Sequence, residues 1–138
     1  MRETLEKNLA LLIIRLGAGG MILTHGIPKI NRLMADEVKF ADPFGLGPTI
    51  SLGLATFAEV GCAILVIIGF KVRLAAIPLI ITMLTAAFYA HWDDPFGRKE
   101  LPLLFCTCFL ALLIQGGGKI SIDGLFGKKK NIHKGPAL

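Results

Sequence analysis

Two charged side chains sit where the surrounding sequence is otherwise apolar, and they are the first candidates for chemistry. Arg15 lies within the apolar run 8–27, and Glu59 is the one charge in the run 48–70. A charge at the centre of a membrane helix costs roughly 2.5–3.5 kcal/mol on insertion scales, so each needs a partner or a task. Counted along two antiparallel helices their depths are similar. Each has small residues on its own helical face: Ala18 and Gly19 beside Arg15, and Ala55, Cys62 and Ala63 beside Glu59. Small residues let helices approach closely, so an Arg15–Glu59 pair is expected. It has two readings. One is the floor of a polar pocket, where Glu59 relays protons or binds a ligand hydroxyl; the other is a structural ion pair that sets helix register.

A second polar layer is expected at the outer ends of the helices. His25 closes the first run with Lys29 one turn beyond, Tyr89 and His91 close the third, and Glu100 opens the fourth. Thr82, Thr85 and Tyr89 form a polar stripe at helical spacing leading inwards from that mouth. Singly, the histidines are ordinary interfacial residues. Together, two histidines, a tyrosine and a carboxylate at one level suit a quinone-type carbonyl. No metal is expected, because neither an HxxxH pair nor a clear third ligand is present. The candidate catalytic groups are therefore Glu59, His91 and His25, and the candidate binding groups Arg15, Lys29, Tyr89 and Glu100.

The elements that must position these groups follow from the apolar patterning. Hydrophobic residues make up 54% of the 138, and mean hydropathy is +0.66. Polar positions gather between long apolar runs instead of alternating with them. The expected fold is all-α, a transmembrane four-helix bundle with spans at 8–27, 48–70, 72–90 and 100–115. Pro28 is expected to stop the first helix. The first three spans reach the ~20 residues needed to cross hydrocarbon, while the fourth is short and reads as a full crossing or as a re-entrant segment. The opening residues have balanced charge and no small-x-small cleavage site, so the first run reads as a membrane helix and not a removable signal. Both termini and the turn between the second and third spans carry nine basic residues (Arg2, Lys7, Lys71, Arg73, Lys119, Lys128, Lys129, Lys130, Lys134) against five in the other two loops. The positive-inside bias then puts both termini in the cytoplasm.

The loop 28–47 is expected to cover the bundle mouth as a lid or a short interfacial helix, and Trp92 suits a headgroup-level anchor. Residues 1–127 read as the membrane domain and 128–138 as a basic, disordered tail. The stretch 119–126 with the lysines after it could alternatively lie along an anionic inner leaflet. The net charge of +5 sets topology; no basic face interleaved with aromatics points to nucleic acid. Cys62, Cys106 and Cys108 lie in apolar stretches without a CxxC spacing and read as small apolar fillers.

Read in order, Ile14-Arg15-Leu16-Gly17, His25-Gly26-Ile27-Pro28-Lys29, Ala58-Glu59-Val60-Gly61, the turn Gly69-Phe70-Lys71-Val72-Arg73, the end of the third run at His91, Lys99-Glu100-Leu101-Pro102 and Gly117-Gly118-Lys119-Ile120-Ser121-Ile122-Asp123 resemble the DoxX family of bacterial membrane proteins over about 9–123. The resemblance implies a four-helix bundle in the bacterial cytoplasmic membrane. It also implies a link to quinone-dependent sulfur oxidation, as a subunit of thiosulfate:quinone oxidoreductase, or to thiol and oxidative stress. The family's typical polar positions fall on Arg15, His25, Lys29, Glu59, Arg73, His91 and Glu100. The chain departs in having no cysteine pair suited to dithiol chemistry, and it carries no haem, flavin or iron–sulfur motif. Electron transfer would need a quinone, a partner redox subunit, or both. Whether the chain is itself an enzyme is left open. A quinone-linked redox subunit stands first, a non-catalytic scaffold or cargo-binding subunit second, and a small-solute or lipid transporter, which at this length would need a homodimer, third.

Overall fold

A computed structural model describes residues 1–132. The residues of the tail from 133 onward, part of the segment expected to be disordered, lie outside it. The chain is all-helical: α1 (Arg2–Leu33), α2 (Pro48–Ile68), α3 (Val72–Ala90), α4 (Phe96–Gln115) and α5 (Ile122–Ile132). The first three are long and apolar enough to cross a membrane by length and composition. Arg98, Lys99 and Glu100 occupy the start of α4 and shorten its apolar stretch.

Packing follows chain order. α1 lies against α2 and α4, and α3 against α2 and α4, which closes a four-membered ring around Ile22, Val66, Leu79, Phe109 and Leu112. α1 and α2 come very close. A Cβ on Gly19 would lie 2.8 Å from Ile67 Cγ1, and one on Gly26 would lie 2.8 Å from the backbone of Glu59. Gly26 therefore stands level with Glu59, and Gly19 with Ala63 and Ile67. α1 does not stop at Pro28 but runs on to Leu33. A proline in a helix forfeits one backbone bond and crowds the carbonyl four residues back, and membrane helices tolerate this where neighbours compensate.

The expected Arg15–Glu59 pair does not form. Arg15 is 2% exposed and its guanidinium donates to four backbone carbonyls: Val66 at 2.9 Å, Ile67 at 2.8 Å, Gly117 at 3.0 Å and Ile120 at 2.6 Å. The first two lie in the last turn of α2, where the helix dipole is negative, and the Val66 carbonyl also accepts from the Gly69 N–H at 3.2 Å. The reason is direction. Helical side chains lean towards their own N-terminus, so on antiparallel helices Arg15 and Glu59 lean apart. Arg15 also lies eleven residues below Gly26, about 16 Å at the helical rise.

Around Arg15 the chain is clasped to itself. Asp123 accepts from the backbone N–H of Lys71 at 2.8 Å and Val72 at 3.0 Å, capping α3, and its own N–H donates to Gly69 at 2.9 Å. Asn8 accepts from the N–H of Lys119 at 2.9 Å. Gly69 has φ 78°, and a Cβ there would lie 2.7 Å from Arg15 Nη2, so glycine is required on both counts. Arg15→Lys keeps the charge but cannot span four carbonyls. An ammonium has three donors for four carbonyls, so at least one charged hydrogen bond is lost and unfolding in detergent should become easier by roughly 1.5–3 kcal/mol or more. A thermal scan showing a shift of less than a degree would mean the clasp contributes nothing.

Candidate functional site

At the opposite end from the clasp, α1, α2, α3 and the loop after α1 enclose a cavity of about 680 Å³. Its charged floor is an ion pair between Lys29 of α1 and Glu59 of α2, whose side chains are 17% and 6% exposed. The directional rule that separates Arg15 from Glu59 brings this pair together: Lys29 lies three residues beyond the level of Glu59 and leans back towards it, while Glu59 leans out to meet it.

Two helix irregularities frame the cavity. Residues Phe57–Cys62 of α2 and Ala86–Ala90 of α3 are π-helical. Such bulges widen a helix turn and are frequent at functional sites. Phe57, Ala58 and Glu59 of the first, and Ala86, Tyr89 and Ala90 of the second, line the cavity. Leu54, Phe57, Ile81 and Tyr89 line it and are also more than half exposed on the outer surface of the bundle. The cavity is thus open sideways between α2 and α3, on the side that would meet lipid.

The polar groups at the mouth are held in place. His91 Nδ1 lies 2.6 Å from Asp94 Oδ2; the ring nitrogen donates to the ionised carboxylate. That hydrogen bond, helped by Arg98 and Lys99, lowers the Asp94 pKa despite some desolvation. Thr82 and Thr85 also line the cavity. Their hydroxyls donate to Pro78 and Ile81 carbonyls at 2.8 Å each, leaving their lone pairs to accept.

The loop forms a lid, with Phe40, Ala41, Pro43 and Phe44 on the cavity wall. Arg32 also lines the cavity; it donates to the Lys39 carbonyl at 2.9 Å and lies over the Phe40 ring at 5.5 Å. Among the described residues it has no carboxylate partner within ion-pair distance. Asp42 ties the lid to α2, accepting from Leu46 N–H at 2.9 Å, Gly47 N–H at 3.0 Å and Ser51 Oγ at 2.9 Å. Desolvation raises its pKa, but the hydrogen bonds from Ser51, Gly47, Leu46 and Gly45 outweigh this and the net shift is downward.

Of the groups picked out from the sequence, Glu59, Lys29, Tyr89 and His91 share this cavity. His25 does not: it sits edge-on to Phe105 across the α1–α4 seam, ring centroids 6.2 Å apart. Glu100 lines a separate open groove on α4 with Phe96 and Leu104, and Arg15 belongs to the clasp. Arg73, exposed, lies along Gly116 at the clasp end. Arg32, Asp42 and Asp94 were not singled out from the sequence. Arg32 follows Lys29 at helical spacing, Asp94 follows His91 by three residues, and Asp42 precedes the turn glycines Gly45 and Gly47. No cluster of three or more His, Cys, Asp or Glu side chains able to hold a metal occurs among the described residues.

A ring of apolar helices, three of them of membrane length, around a sideways-opening cavity with a charged floor defines a small helical membrane protein with a ligand-sized chamber. The family model DoxX matches residues 10–92, which takes in most of α1 and all of α2, α3 and the lid. The chain belongs to the DoxX family. It is similar to a protein of Haemophilus influenzae described as uncharacterized, 30% identical over 134 residues, covering 91% of this chain and 89% of that one. No solved structure matches.

The lid should respond to acid. Asp42's pKa is lowered on folding, so its contribution is present above the ordinary carboxylate range and lost as pH falls through the lowered value. Hydrogen exchange in residues 34–47 should accelerate in that acid window, and Asp42→Ala should show the fast exchange at neutral pH. Equal protection in both proteins at neutral pH would refute this anchoring.

Proposed function

We propose that the cavity binds a quinone-type ring entering sideways from the bilayer, and that the chain serves as a quinone-linked membrane redox subunit. The observation that carries this is the sideways opening between α2 and α3 above the Lys29–Glu59 pair: an apolar entrance to a charged floor fits a ligand with a lipid-soluble tail and a polar ring. A quinone supplies two-electron, two-proton chemistry, with electrons from a partner subunit. The chain's own groups bind and orient. The Lys29 ammonium offers hydrogen-bond donors to a ring carbonyl, Tyr89 offers a hydroxyl at the rim, and Leu54, Phe57 and Ile81 contact the apolar part. The Glu59 carboxylate accepts at the cavity wall, and the His91 ring, steadied by Asp94, offers its other nitrogen there, the positions that proton transfer requires. Phe40 and Phe44 of the lid exclude water.

In this reading α4 joins the other three as a crossing, tilting little or thinning the bilayer to match its shorter apolar stretch. Both termini are cytoplasmic by the positive-inside bias, and the setting is the bacterial cytoplasmic membrane.

The test is ligand-dependent stability in detergent. Ubiquinol or menaquinol analogues should raise the melting temperature of the full chain. Tyr89→Phe, which leaves the floor intact, should weaken that response by roughly 2–12-fold, the worth of one hydrogen bond. Glu59→Gln should abolish it. Removing one partner of a buried pair costs about 3–5 kcal/mol, so Glu59→Gln is read beside the paired Lys29→Met, Glu59→Leu variant, which restores folding without the charges. No shift in the parent chain at saturating analogue would leave a scaffold as the better reading.

A further inference from the structure

The clasp end of the bundle carries a second surface that the cavity does not use. Where α2 ends and α3 begins, Phe70 stacks edge-on to Phe126 of α5, centroids 6.4 Å apart, and Lys71 Nζ lies 5.5 Å above the Phe70 ring. Leu125 and Phe126 are more than half exposed. Lys71, Arg73 and Lys119 are exposed around them, and the next residues of α5 after Gly127 are three lysines in sequence.

Two of the three acidic groups at this end, Asp123 and Glu6, are already engaged, and the third, Glu3, is exposed in the first turn of α1. Asp123 is bound to the N–H groups of Lys71 and Val72, and Glu6 pairs with Arg2. Lys71 itself holds φ 47°, a conformation that glycine would adopt without strain. The patch starts where the apolar runs of α2 and α3 stop, which is headgroup depth if those helices cross a bilayer. Exposed aromatic and aliphatic side chains beside lysines at that depth suit an anionic membrane surface, with apolar groups in the acyl boundary and ammonium groups on phosphates.

We propose that α5 with Lys71, Arg73 and Lys119 forms a binding surface for anionic phospholipid head groups. It rests on α2 and α3 being membrane spans and is independent of what the cavity binds.

The full chain in neutral detergent is titrated with phosphatidylglycerol or with phosphatidylcholine of the same acyl chains, and thermal unfolding is followed. Phosphatidylglycerol should raise the melting temperature, less so at high salt, and phosphatidylcholine should not. Lys71→Gln with Lys119→Gln should lower the apparent affinity for phosphatidylglycerol roughly 25-fold while leaving stability in phosphatidylcholine unchanged. Lys39→Gln with Arg98→Gln, at the other end, should keep the full response. Equal shifts with both lipids, a shift reproduced by inorganic phosphate, or an unchanged response in the Lys71/Lys119 variant would each overturn the proposal. So would loss of the response in the Lys39/Arg98 variant, or retention of an acidic soluble protein through the same lysines in place of lipid.

Discussion

The guanidinium of Arg15 is the constraint on which the bundle rests. A buried cation needs its charge compensated and its donors satisfied. Among the described residues no carboxylate is hydrogen-bonded to it; four carbonyls from two chain segments far apart in sequence take its donors. The end of α2 and the segment after α4 cannot move independently while both are bonded to one rigid planar group. That fixes the turn into α3, which Asp123 then caps, and so fixes α3 against α2. The flexible functions are left to the far end, where α2 and α3 part to form the cavity.

The close approach of α1 to α2 depends on Gly19 and Gly26, and it does more than pack. It sets the register that places Lys29 three residues above Glu59 and so within its reach. A slip of one residue would turn each helical side chain by about 100° and break the pair. The π segment around Glu59 sits at that level, so the bulge, the glycine contact and the ion pair are one local arrangement.

The helices were legible in the sequence because bilayer physics writes them as long apolar runs; the loop 28–47 was legible only as a connection at the mouth, since turn residues do not say whether it lies there as a lid or as a short interfacial helix. The pairing of charges was not. Counting residues from each end treats α1 as a helix that stops at Pro28, whereas it continues to Leu33, and depth counted that way ignores which way side chains lean. Lys29 was seen, yet it reads as an interfacial residue until α1 extends past the proline. Carbonyl partners for Arg15 have no sequence signature, since every residue has a carbonyl. His25 and His91 seemed to belong at one level, but α1 presents His25 to α4, while α3 presents His91 to the cavity.

Stability alone is a weak reason for the Lys29–Glu59 pair. Two charges moved out of water recover in mutual attraction about what they lose in hydration, and apolar residues of similar volume often serve as well or better. The clasp already ties the bundle together at its other end, and Gly26 already seats α1 on α2. The pair lies instead on the wall of a chamber open towards lipid, beside two helix bulges and beneath a lid tied by Asp42. Each of these features weakens packing or regularity locally, and all of them face the same space. A fold selected only to hold itself together would have filled that space with side chains, as it did around Phe109 and Leu112. Keeping it open and charged is the strongest physical ground for regarding the chamber as a place where something binds.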